Sequence, residues 1–216
     1  RIGSLSEGSS ATQFNQLIST WFDGANDPKS SSSDHVDGRP LFAKGGPSIN
    51  DITQGYIGDC SLLSALQAVV ETAPDFIKSM IVQNPNDTYS VRFFNKGVAQ
   101  WVTVDGNAYS SGTNSATSSW AAIVERANVD FEATYLNEVN AYSSLPGGYD
   151  KLGEITGDTY TTFRAVYTTE EKWNTTDFDI LKTSVLNGQP VQLSIWDSSV
   201  NADTGQTNLV GGHAFA

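Results

Sequence analysis

Apolar residues along this chain fall into two periodicities. Phe14, Leu17, Ile18, Trp21 and Phe22 keep the i, i+3, i+4, i+7, i+8 spacing of a helix with one apolar stripe, ended by Asp23-Gly24. Leu62, Leu63, Ala65, Leu66, Ala68, Val69 and Val70 cover most faces of a helix, which predicts a buried one closed by Pro74. Phe76, Ile77, Met80 and Ile81 suggest a second short helix. Beyond the turn at Asn84–Asp87 the period changes to two. Tyr89, Val91 and Phe93 alternate, Trp101, Val102 and Val104 follow, and Asn95-Lys96-Gly97 lies between, so 88–105 reads as a β-hairpin. Ser118 or Ser119 caps a helix carrying Trp120, Ile123, Val124, Ala127, Phe131 and Tyr135, and Leu145-Pro146-Gly147-Gly148 breaks the pattern. The Thr- and Tyr-rich stretch 158–175 suits a connection or an edge strand. Phe178, Leu181, Val185 and Leu186 predict a helix stopped by Asn187-Gly188 and Pro190. Val191, Leu193 and Ile195 alternate as a strand, 197–207 reads as a polar loop, and Leu209–Ala216 reads as a strand crossing a packed surface.

Residues 1–10 are small, polar and expected to fray, and 23–40, with four consecutive serines and His35, read as a loop. At 216 residues the chain can bury one substantial core or two small lobes. No run approaches the roughly 18 apolar residues that span a membrane. The 24 acidic and 12 basic side chains give a net charge of −12, which repels nucleic acid and anionic membranes; neither is an expected partner. One cysteine excludes an internal disulfide and Cys-rich zinc sites. Arg1 opens the chain without a leader, which reads as a processed protein, a fragment or an excised piece. Abundant Ser, Thr, Asn and Gly with sparse Lys lean toward an extracellular protein. Asn86-Asp87-Thr88 and Asn174-Thr175-Thr176 match glycosylation acceptors, triplets that also arise by chance.

That single cysteine sits in Gln54-Gly55-Tyr56-Ile57-Gly58-Asp59-Cys60-Ser61-Leu62-Leu63, at the start of the buried helix. A thiol there meets the positive end of the helix dipole, which favours thiolate. Gly55 and Gly58 allow a tight turn and close approach of a substrate. Gln54 is placed to curl back and offer its amide to a developing oxyanion. A lone cysteine opening an apolar helix is ordinarily a small buried residue; the surrounding motif turns the balance toward a nucleophile. Gln-Gly-x-x-Gly-Asp-Cys followed by Leu-Leu resembles the nucleophile motif of calpain-type cysteine proteases. The family usually has tryptophan after the cysteine; here it is Ser61. Leu41-Phe42, Gln100–Asp105, Trp120–Ala127 and Glu154–Gly157 are similar to further family motifs.

A cysteine nucleophile needs a base, usually histidine. His35 lies in the polar loop, where a histidine is ordinarily solvated. His213, in Gly-His-Ala-Phe, is similar to the family's histidine motif, and its small neighbours leave room for thiol and substrate. The resemblance implies Cys60 as nucleophile, His213 as base and Gln54 in the oxyanion hole. The family's orienting asparagine follows the histidine, whereas this chain stops three residues after His213. The expectation is therefore a truncated or cleaved chain, or a further segment or chain that supplies the third group. The fold expected is α+β and papain-like, in two lobes. Residues 1–40 form an extension with a short amphipathic helix, 41–165 a Cys-bearing helical lobe, and 166–216 the start of a His-bearing β-rich lobe. A protein or peptide is the expected substrate. The alternatives are a transglutaminase-type acyl transferase, or a catalytically silent acidic binding module that keeps the fold. The resemblance also allows calcium, although no EF-hand loop is present and no metal ligand is assigned.

Overall fold

The computed structural model describes residues 7–24, 33–35, 38–136, 151–159, 175–195, 199–200, 207–209 and 213–216. The described helices are α1 (Ala11–Trp21), α2 (Cys60–Thr72), α3 (Pro74–Ser79), α4 (Trp120–Phe131), α5 (Lys151–Thr156) and α6 (Thr175–Leu186). The described strands are β1 (Ser33–His35), β2 (Ile81–Gln83), β3 (Tyr89–Asn95), β4 (Val98–Val104), β5 (Asn107–Tyr109), β6 (Leu193–Ile195), β7 (Ser199–Val200), β8 (Thr207–Leu209) and β9 (His213–Phe215). Helices stand beside small antiparallel sheets, so the fold is α+β, as the sequence implied.

Local chemistry explains most of these elements. Ser10 and Gln13 form a reciprocal capping box that starts α1. The stripe of α1 docks mainly through Leu17, which is 2% exposed, while Phe14, Trp21 and Phe22 stay half exposed or more. In α2 every residue from Leu62 to Leu66 is buried, with Ala68, Val69 and Val70 beyond them, the pattern of a helix enclosed on most sides. Pro74 ends it and opens α3, where its missing N–H leaves no bond unmade. The hairpin β3–β4 closes over Lys96 and Gly97, both at positive φ (51° and 78°), and Asn95 pairs with Val98. A two-residue turn of that kind matches the right-handed twist of the strands. Its register sets Tyr89 opposite Val104 and Val91 opposite Val102, all buried, and β2 pairs with β3. One apolar cluster joins α2, this sheet, α4 and Ile155 of α5, with Phe93 stacked on Phe131 at 5.0 Å between ring centres.

Two stretches read as loops contain strands. Ser33–His35, from 23–40, pairs with β5, and Ser199–Val200, from 197–207, pairs with β8. Backbone pairing needs no apolar alternation, so short polar strands leave no periodic trace. His35 therefore lies on a paired strand rather than in a free loop. Helix α5 was also unforeseen. Its Lys151 is 3% exposed and bonds Glu154 at 2.8 Å and Glu132. Glu132 opens a single π-helical turn, Glu132–Leu136, that continues α4. Burial pushes the Lys151 ammonium down, but Glu154 and Glu132 beside it outweigh that and hold it above its ordinary range. Most of the Thr- and Tyr-rich stretch 158–175 lies outside the described residues.

Candidate active site

Cys60 is the first residue of α2, partly exposed. Its backbone N–H therefore belongs to the set at a helix start that has no intrahelical acceptor. Asp59 precedes it at the N-cap position, where its backbone carbonyl accepts from the N–H groups of Leu62 (2.9 Å) and Leu63 (3.1 Å).

The segment leading to Cys60 is stitched along its length to the loop after β5. Thr53 N donates to Thr113 Oγ1 at 3.2 Å, Asn114 N donates to the Thr53 carbonyl at 3.3 Å, and Tyr56 N donates to the Ser111 carbonyl at 2.8 Å. Between these bonds Gly55 lies so close to the loop that a Cβ would fall on the carbonyl oxygens of Ser111 and Gly112. Only glycine fits that approach. Gln54 is exposed, and its side chain folds back across the turn to donate from Nε2 to the Ile57 carbonyl at 2.9 Å. A primary amide carries two hydrogens, and this bond takes one.

Buried acids surround the segment. Asp51, in a short 3₁₀ turn at Ile49–Asp51, accepts from Trp120 Nε1 at 2.8 Å and from Ser48 N at 3.0 Å. Burial pushes its carboxyl up, but the bonds from Trp120 and its neighbours prevail and hold it below the usual carboxylate range. Asp59 is 3% exposed and its carboxyl is pushed up, chiefly by burial. Glu125, 0% exposed on α4, accepts from the Thr113 N–H with both oxygens, at 3.0 and 3.1 Å.

The far end of the chain returns to this helix. Strand β9, which begins with His213, pairs with β6 so that His213 stands opposite Ile195, and β9 packs against α2. Gln192, just before β6, donates from Nε2 to the Ser61 carbonyl at 2.7 Å and to Ser64 Oγ at 2.8 Å. Both acceptors lie in the first turns of α2, directly after Cys60. Thus the fold brings the strand of His213 against the helix of Cys60, whereas His35 sits on β1, paired with β5. The use of Gln192 on α2 and the burial of Glu125 were missed by sequence reading. Gln192 occupies the polar position of an alternating strand, which normally faces water.

Among the described residues, no group of three or more His, Cys, Asp and Glu gathers to hold a metal ion. None of the described helices is long and apolar enough to cross a membrane.

Residues 28–216 match the family described as calpain family cysteine protease. Over 155 residues, 66% of this chain, the sequence is 27% identical to a calpain-type cysteine protease of Arabidopsis thaliana. The same 27% over 155 residues holds for a calpain-type cysteine protease of Oryza sativa subsp. japonica. The match covers 7% of the length of each of these relatives.

Proposed function

Because the chain belongs to the calpain family of cysteine proteases, we propose that it is a papain-like endopeptidase whose nucleophile is Cys60 and whose base is His213. The packing of β9 on α2 supports this reading most directly, since it puts the histidine strand beside the cysteine helix. The thiol proton passes to His213 as sulfur attacks the peptide carbonyl. The oxyanion that forms is met by the backbone N–H of Cys60, which points out of the helix start, and by the amide of Gln54. Collapse breaks the C–N bond, and His213 returns the proton to the leaving amine. His213 then takes a proton from water as the water attacks the thioester, releasing the carboxylic acid and the thiol. Gln192, just before β6, ties the first turns of α2 to the entry of the strand pair β6–β9, which supports pairing Cys60 with His213.

Peptide hydrolysis with selective alkylation of Cys60 by iodoacetamide tests the proposal. Labelling no faster than that of a small-molecule thiol would overturn it. Incorporation of a labelled amine in place of net hydrolysis would mark an acyl transferase instead.

Two substitutions probe the segment before the thiol. Gln54→Ala is expected to lower kcat by about 10²–10³-fold, the loss seen when one oxyanion donor is removed. An unchanged kcat would take Gln54 out of the oxyanion hole. Gly55→Ala is expected to cost about 10²-fold in kcat/KM, because the new methyl must displace the Ser111–Gly112 backbone or the segment that positions Cys60. Wild-type kinetics in that variant would mean that the close approach has no bearing on the nucleophile.

A further inference from the structure

The side chain of Gln192 closes a circuit of three hydrogen bonds at the start of α2. Ser64, 2% exposed, donates from Oγ to the Ser61 carbonyl at 3.2 Å. Its single hydrogen is spent there, so its oxygen is left to accept. Gln192 Nε2 donates to that oxygen at 2.8 Å and to the Ser61 carbonyl at 2.7 Å, which uses both hydrogens of the amide. Turning the amide over would set its oxygen against the Ser61 carbonyl oxygen, acceptor against acceptor. The directions of the three bonds are therefore mutually consistent, and Gln192 is the one member of the circuit that does not belong to α2.

Both ends of the circuit lie a short way along the chain from the proposed reacting residues. Ser61 directly follows Cys60, and Ser64 is one turn further on. Gln192 directly precedes β6, in which Ser194 stands opposite Ala214 and Ile195 opposite His213. Ala214 is 5% exposed, and β9 packs against α2. The connector that delivers Gln192 is constrained as well. Gly188 turns the chain out of α6 at a φ of 67°, and the ring of Pro190 fixes its own φ. Apolar packing of a strand on a helix is non-directional and leaves the strand free to slide. Donated hydrogen bonds fix distance and angle together.

We infer that Gln192 is a positioning residue, which sets where the β6–β9 pair sits along α2 and so how the proposed base approaches the proposed nucleophile. The inference rests on the reading of Cys60 and His213 given above. Gln192 acts through Ser61 and Ser64. Its contribution lies in the two hydrogens it donates, since an apolar side chain of the same length would fill the space and hold nothing in register.

Two variants separate the donated bonds from the bulk of the side chain. Gln192→Met keeps the length and donates nothing. Gln192→Glu keeps the shape and at neutral pH turns only acceptors toward the Ser61 carbonyl. In both, kcat for peptide hydrolysis is expected to fall about 10²-fold, the cost of a misplacement of about 1 Å between reacting groups, with KM nearly unchanged. Hydrogen–deuterium exchange, read by mass spectrometry on the same chains, is expected to quicken in β6 and β9. It is expected to keep the wild-type rate in the hairpin β3–β4, which the circuit does not touch. Wild-type kcat in either variant, or a rise in KM alone, would overturn the positioning role. Exchange at the wild-type rate in β9 would overturn it too, because the strand would then be seated without Gln192. Faster exchange in the hairpin as well would make Gln192 a support of the whole fold and would equally overturn it. A wild-type chain that hydrolyses no peptide would bring down the reading of Cys60 and His213, and the kinetic role with it. The exchange measurement alone would then decide whether Gln192 seats β9 on α2.

Discussion

Replacing Cys60 with alanine is expected to remove peptide hydrolysis, with a loss in kcat on the order of 10⁶-fold, the scale found when a covalent nucleophile is deleted. The size of this effect follows from the chemistry. Without sulfur no thioester forms, and water would have to attack the peptide directly, helped only by the oxyanion donors and by substrate binding. The fold should barely notice. Cys60 is partly exposed at the helix start, so the change removes one sulfur from the edge of the core rather than opening a cavity within it. Urea unfolding and hydrolysis of a labelled peptide, measured on the same preparation, separate the two consequences. Activity retained by Cys60→Ala would sink the assignment of the nucleophile, and a chain that no longer folds would make Cys60 a packing residue.

Lys151→Met is expected to have the largest effect on stability, a loss of about 3–5 kcal/mol. Lys151 is the one cation among three buried charges, flanked by Glu132 and Glu154. Methionine fills much the same volume, so lost packing is a minor part of the change. What remains is two buried carboxylates that have lost the ammonium between them. Adding Glu132→Gln and Glu154→Gln to Lys151→Met should return much of the loss, because neutral groups do not need the cation. A Lys151→Met protein that unfolds at the wild-type urea midpoint would show that the cluster does not hold α5 to the end of α4.

Much of the first part of the fold was legible in the sequence because its signals are local. The all-round apolar run from Leu62 to Val70 announces a buried helix, and Asn95-Lys96-Gly97 between alternating strands announces the hairpin. The cysteine motif carries the family resemblance, and residues 28–216 match that family. What escaped was non-local or polar. Ser33–His35 becomes a strand only because Asn107–Tyr109 is there to pair with it. Lys151 and Glu132 look like surface charges until the fold buries them against one another. Gln192 reads as the wet side of a strand, yet its amide is used on the helix of Cys60.

The bond from Gln192 to Ser61 spans 131 residues, whereas the hairpin β3–β4 closes over two. Closing so long a loop costs more chain entropy, and contacts of high sequence separation form late. During synthesis the chain emerges from its N-terminal end. Helix α2 can therefore bury itself against the hairpin and α4 while β6 and β9 have yet to be made. A nascent chain in that state displays Cys60 without the strand that carries its proposed base. Topology thus sets an order of assembly: the helix of the proposed nucleophile finds its core before the strand of the proposed base is there to dock on it.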